Sequence, residues 1–134
     1  MICPVLVVDD DPDLRDSLMR LLEDEGYETL GASNGREALE VLERPAGRPC
    51  LILLDLMMPV MNGWETIEHL AAHPELGRIP IAIMSACNTP QRQSNMGAID
   101  ELTFLFLRKP IEIQALLDVV AEKCPRVGHP REHS

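Results

Sequence analysis

The sequence predicts a doubly wound α/β domain built on a five-stranded parallel sheet, and three observations carry that expectation. Strand-like and helix-like segments alternate along the chain. The run "LILL" at residues 51 to 54 lacks the two-residue alternation of a half-exposed strand, as expected of a strand covered on both faces. The helical stretches keep their apolar residues on one stripe, between clear start and stop signals. Such a chain folds with right-handed crossovers and gathers its functional groups at the carboxyl ends of the strands.

The elements follow in order. "PVLVV", residues 4 to 8, is a short β-branched strand, and Asp11-Pro12 then supplies a helix N-cap and a first-turn proline. Leu14, Leu18, Leu21 and Leu22 form the apolar stripe of the first helix, which Gly26 stops. "YETLGA" is the second strand; Ser33-Asn34-Gly35 opens a second helix with Ala38, Val41 and Leu42 on one face, and "RPAGRP" ends it. "CLILLD" is the third strand. Asn62-Gly63 begins a third helix through Ile67 and Leu70, stopped near His73-Pro74. "IPIAIMS" (79 to 85) and "TFLFLR" (103 to 108) are strands four and five, and Ile113, Leu116, Leu117 and Val120 stripe the last helix. Between Ser85 and Thr103 a fourth helix is expected to be short or irregular, because the segment contains Pro90, Gly97 and a polar run, with no apolar stripe until Met96, Ile99 and Leu102.

With 134 residues the chain fits a single domain, expected over 1 to 124, with "PRVGHPREHS" at 125 to 134 as a disordered tail. The formal net charge of -10 and the lack of a basic cluster argue against direct nucleic-acid binding, which needs cations to displace phosphate counterions. No run approaches the roughly 20 apolar residues of a membrane span, so no membrane insertion and a cytoplasmic location are expected. Cys3, Cys50, Cys87 and Cys124 form no C-x-x-C pair and are expected to be reduced packing residues, while His69, His73, His129 and His133 are expected on the surface.

The chemistry collects at the strand ends. Strand one ends in Asp9-Asp10-Asp11, strand three in Asp55, strand four in Ser85, and strand five in Arg108-Lys109-Pro110. In a parallel sheet these ends share one edge, bringing carboxylates, a hydroxyl and an ammonium together. Carboxylates at close range repel one another, and hard oxygen donors so gathered suit Mg²⁺. Asp55, the lone carboxylate at the end of an apolar strand, then suits nucleophilic attack on phosphorus to give an aspartyl-phosphate. Lys109 would neutralise phosphoryl oxygens and Ser85 would hydrogen-bond them. Asp11 is read as a helix cap rather than a ligand.

These residues, Asp9 and Asp10 in "VLVVDDDP", Asp55 in "LILLDLMMPVMNG", Ser85 in "IMSA" and Lys109-Pro110 in "LRKPI", make the chain resemble a bacterial two-component response regulator receiver domain of the chemotaxis-receiver kind. The resemblance covers about residues 4 to 123 and implies a flavodoxin-like strand order 2-1-3-4-5. It implies Asp55 as phosphoacceptor, and Mg²⁺ (with Mn²⁺ able to substitute) held by Asp10, Asp55 and the Met57 backbone carbonyl, Asp9 acting through water. It further implies contacts of Ser85 and Lys109 to the phosphoryl group, Ser85 and Phe106 as a switch pair, and a cis peptide before Pro110. Pro59 and Gly63 would shape the loop after the acceptor. The implied donor is a histidine kinase or histidine phosphotransfer protein, and the downstream protein is not named by the sequence. No enzymatic activity is expected beyond the domain's own phosphorylation and dephosphorylation; an aspartyl phosphatase would need an acid two residues after the nucleophile, where Met57 stands. The rival reading is a constitutive protein-interaction module with the same fold and vestigial phosphorylation, motivated by the unusual segment 87 to 102.

Overall fold

The computed structural model describes residues 4–44, 48–56, 58, 60–85 and 104–124, with the backbone alone of Ser85, Phe104 to Phe106 and Arg108. The strands are β1 (Val5–Val8), β2 (Thr29–Ala32), β3 (Leu51–Asp55), β4 (Ile81–Ser85) and β5 (Phe104–Arg108). The helices are α1 (Pro12–Asp24), α2 (Gly35–Leu42), α3 (Gly63–Ala71) and α4 (Ile113–Lys123), with a 3₁₀ turn at Leu76–Arg78. All strand pairs are parallel, in the order β2-β1-β3-β4-β5, as the resemblance implied. The expected fourth helix and the tail from 125 lie outside the described residues, so α4 is the helix that follows β5.

The local signals act as expected. Asp11 caps α1, accepting from the amides of Asp13 and Leu14 at 3.0 and 3.3 Å. Asn62 and Glu65 form a reciprocal capping box on α3. Gly26 ends α1 with φ of 97°, a backbone conformation that side-chain-bearing residues resist.

Two apolar layers sandwich the sheet. Leu6, Val8, Ile52, Leu54, Ile81 and Ile83 face α2 and α3, while Val5, Val7, Leu51, Leu53, Ala82 and Met84 face α1 and α4. Alternate residues of each central strand therefore enter opposite cores, which is why β3 shows no hydrophobic alternation. At roughly 1.5 to 3 kcal/mol for each large apolar side chain, burial on both faces fixes where β1, β3 and β4 end, and so the edge they share.

Two expectations need correction. Ile113 is in phase with Leu116 and Val120, which are fully buried, yet it is 56% exposed, because it occupies the first position of α4, beyond the packed part of the stripe. Cys50 and Cys124 are not reduced packing residues: they form a disulfide across a sequence separation of 74. The topology brings the start of β3 and the end of α4 to one end of the sheet, a proximity no local spacing encodes. Cys3 and Cys87 lie outside the described residues, as do His129 and His133, while His69 and His73 are exposed as expected.

Candidate acidic site at the carboxyl edge of the sheet

Register builds the site. Val8 pairs with Leu54, so one step further places Asp9 beside Asp55; Asp55 pairs with Met84, and Ser85 pairs with Arg108, the residue before Lys109. Asp9, Asp55, Ser85 and Lys109 thus end four adjacent strands on one edge.

Asp9 is fully buried and Asp55 is 4% exposed, whereas Asp10 faces solvent. One carboxylate oxygen from each of Asp9, Asp10 and Asp55 lies within 4.8 Å of the others. Lys109 Nζ stands 3.3 Å from Asp9 Oδ2 and 3.4 Å from Asp55 Oδ2, so one ammonium bridges both buried carboxylates. Burial is the largest single influence on that ammonium and favours its loss of a proton. The charges of Asp55 and Asp9, with their hydrogen bonds, outweigh it and hold Lys109 above the ordinary lysine value of 10.5.

Three carboxylates outnumber the one ammonium that bridges two of them, an arrangement that fits a divalent cation. Oxygen donors only, one of them solvent-facing, match the preference of Mg²⁺ for carboxylates plus retained waters.

The surroundings hold these groups in place. Asp9 Oδ1 accepts from the Asp11 amide at 2.9 Å, so the same turn that caps α1 orients Asp9. Arg15 donates from a guanidinium nitrogen to the Asp9 carbonyl at 2.7 Å. Sequence reasoning did not single out Arg15; its signal was its place one turn into α1, on the side facing β1. Gly63 packs so closely that a Cβ there would meet Leu56 Cα at 2.7 Å and the Asp55 carbonyl oxygen at 2.8 Å, which explains the glycine. The Gly35 amide donates to the Met61 carbonyl at 3.1 Å, tying the loop after Asp55 to the start of α2. Trp64 packs, half-buried, against the α2–α3 core.

Of the residues expected at the site, Asp9, Asp10, Asp55, Lys109, Gly63 and Pro110 are described, and the peptide before Pro110 is cis. Met57 and Pro59 lie outside the described residues, and Ser85 and Phe106 are described by backbone alone. No helix among the described residues is long and apolar enough to cross a membrane.

A family model for the response regulator receiver domain matches residues 5–121. The chain is 32% identical over 124 residues to sporulation initiation phosphotransferase F of Bacillus subtilis, covering 90% of this chain and 93% of that protein. Among solved structures, the chemotaxis protein CheY4 of Vibrio cholerae aligns with a TM-score of 0.78 at 29% identity, over 92% of this chain and 99% of that one. The response regulator protein TrrA of Thermotoga maritima, solved in complex with Mg²⁺ and BeF, aligns with a TM-score of 0.72 at 27% identity, over 90% of this chain and 98% of that one. The fold, the acidic cluster and the family match converge: this chain belongs to the response regulator receiver domains of two-component systems.

Proposed function

We propose that Asp55 is the phosphoacceptor of this receiver, with residues 1 to 124 as the working unit and a histidine kinase or histidine phosphotransfer protein of the cytoplasm as donor. The observation that carries the reading is the single ammonium of Lys109 bridging two buried carboxylates, Asp9 and Asp55, beside the exposed Asp10. Asp9, Asp10, Asp55 and the Met57 carbonyl would hold Mg²⁺, or Mn²⁺ in its place, Asp9 through water. When bound, the ion supplies positive charge that neutralises phosphoryl oxygens.

The chain's own residues then do the following. An Asp55 carboxylate oxygen attacks phosphorus; the new oxygen–phosphorus bond forms as the phosphorus–nitrogen bond to the donor imidazole breaks, and the imidazole keeps the electron pair. Lys109 turns from sharing its charge between two carboxylates to facing the phosphoryl oxygens. Ser85 would hydrogen-bond one of them, and Ser85 with Phe106 would be the switch pair that changes which protein this receiver binds. The phosphoryl group shifts that equilibrium only by what it binds differently in the two states. No activity beyond the domain's own phosphorylation and dephosphorylation is assigned.

The test is intact mass after incubation with acetyl phosphate and Mg²⁺, wild type beside Asp55→Ala. The expected result is a gain of one phosphoryl group in wild type alone, lost on chelation of the metal. An equal gain in Asp55→Ala, or none in wild type even with a cognate kinase, overturns the assignment.

A further inference from the structure

The end of the sheet remote from the acidic cluster carries a different chemistry. Cys50 stands immediately before β3, and Cys124 follows the last residue of α4; their sulfurs are bonded, with Cα atoms 5.5 Å apart, inside the span that disulfides ordinarily bridge. Cys124 is 6% exposed and sits in the apolar layer with Val5, Leu22, Leu51, Leu116 and Val120. Cys50 is only half-buried and so is the sulfur that a small thiol or disulfide reaches first.

Both oxidation states suit the same fold. Without the bond each cysteine remains a small apolar side chain in a packed layer. The Pro4 carbonyl oxygen, 3.6 Å from Cys50 Sγ, is placed to accept the hydrogen of a free Cys50 thiol. Without the bond, the end of α4 would be held to the sheet by non-covalent contacts alone. Among the described contacts α4 is held by Leu116 and Val120 as fully buried side chains, and the disulfide adds a covalent link to the central strand.

We propose that Cys50 and Cys124 form a reversible thiol–disulfide couple that fastens the end of α4 to the amino end of β3, a redox input separate from the Asp55 pocket. The reaction is thiol–disulfide exchange with a low-molecular-weight disulfide such as oxidised glutathione. The Cys50 thiolate attacks one sulfur of that disulfide, releasing one small thiol and leaving a mixed disulfide. Cys124 then attacks the Cys50 sulfur and releases the second small thiol, so two protein thiols are oxidised as one small disulfide is reduced to two thiols. Asp55 lies five residues along the strand from Cys50, about 16 Å away, too far for the exchange to touch the phosphoryl chemistry directly.

The experiment uses the full chain equilibrated in glutathione buffers of graded ratio, then alkylated and mapped by mass spectrometry, with melting and amide exchange followed in parallel. The proposal expects a Cys50–Cys124 cross-linked peptide that forms and disappears reversibly with the buffer ratio. Reduction of the folded protein should lower Tm by about 10 °C and speed exchange in the last turn of α4 at least about tenfold. Cys50→Ser should show neither response; if it fails to fold, Cys124→Ala and reductant-titrated wild type read the same shift. The rate of mass gain from acetyl phosphate should agree within about twofold between the oxidised and reduced forms. The proposal is overturned if the cross-link does not form in oxidising buffer, if it forms but resists reduction while the protein stays folded, or if reduction leaves Tm and α4 exchange unchanged.

Discussion

The two ends of the central strand are built to opposite specifications. At its amino end, Cys50 is bonded to Cys124 among apolar side chains; at its carboxyl end, Asp55 stands with Asp9 and Asp10 against one ammonium. Between them Leu51 to Leu54 are buried on both faces, so neither end can relax by sliding the strand, since a one-residue slip would send every side chain to the wrong layer. The disulfide at the amino end carries no charge and packs in an apolar layer. The carboxyl end is incomplete: it holds more negative charge than Lys109 can neutralise, so a cation or a phosphoryl group changes its energy strongly. A rigid strand joining a disulfide-bonded end to an incomplete one confines the response to binding at the carboxyl edge.

The sharpest way to break this contrast is to remove the ammonium. Lys109→Ala leaves two buried carboxylates facing each other and deletes the charge that would meet phosphoryl oxygens, so transfer from acetyl phosphate should slow by about 100-fold or more. Initial rates of mass gain at saturating Mg²⁺ measure this. The pH dependence has a definite sign. The Lys109 pKa is raised in the folded state, so the stability its ion pairs contribute is complete below 10.5 and is lost only as pH rises through the higher folded value. A wild-type stability loss near pH 9 that Lys109→Ala abolishes would contradict this account.

A smaller blow falls on the loop that follows Asp55. Gly63→Ala would drive a Cβ into Leu56 Cα and the Asp55 carbonyl oxygen, both backbone atoms that cannot swing aside. Destabilisation of about 1 to 3 kcal/mol is expected, read from urea midpoints, with slower phosphorylation as Asp55 shifts. An unchanged midpoint would mean that the loop, unlike the strand before it, can yield.

The same contrast shows what the sequence discloses. The carboxyl edge was legible because each of its groups ends a strand whose apolar run marks it, and parallel topology does the rest; Asp9, Asp10, Asp55 and Lys109 could be listed together before any coordinates. Element limits were also legible, since Asp11, Asn34 and Asn62 announce helix starts through side chains that bond their own backbone. The amino end was not legible. Cys50 and Cys124 carry no motif, and their meeting depends on where α4 crosses the sheet, a property of the whole fold. Arg15 escaped notice for a related reason: its partner is a backbone carbonyl, which every residue has. The exposure of Ile113 escaped because helical phase gives the direction of a side chain but not where the packed surface stops.

The smallest effect tests whether the responsive end extends to α2, whose first amide is tied to the loop after Asp55 through Gly35 and Met61. Glu37 accepts from the Ser33 amide at 2.8 Å, and that backbone hydrogen bond, followed by the Ser33 side chain, holds its carboxyl below the ordinary 4.5. Its pKa is depressed, so its contribution is present above 4.5 and is lost as pH falls through the lower folded value. Glu37 is exposed, and after allowance for solvent screening Glu37→Gln should cost only about 0.5 kcal/mol at neutral pH, with the gap to wild type closing as the solution is acidified. Urea midpoints at neutral and acid pH measure it. If the cap is purely local, Mg²⁺ affinity followed by Trp64 fluorescence will be the same in both proteins. A weakened Mg²⁺ response in Glu37→Gln would instead place the start of α2 within the responsive end, coupled to Asp55 through the Gly35 to Met61 hydrogen bond.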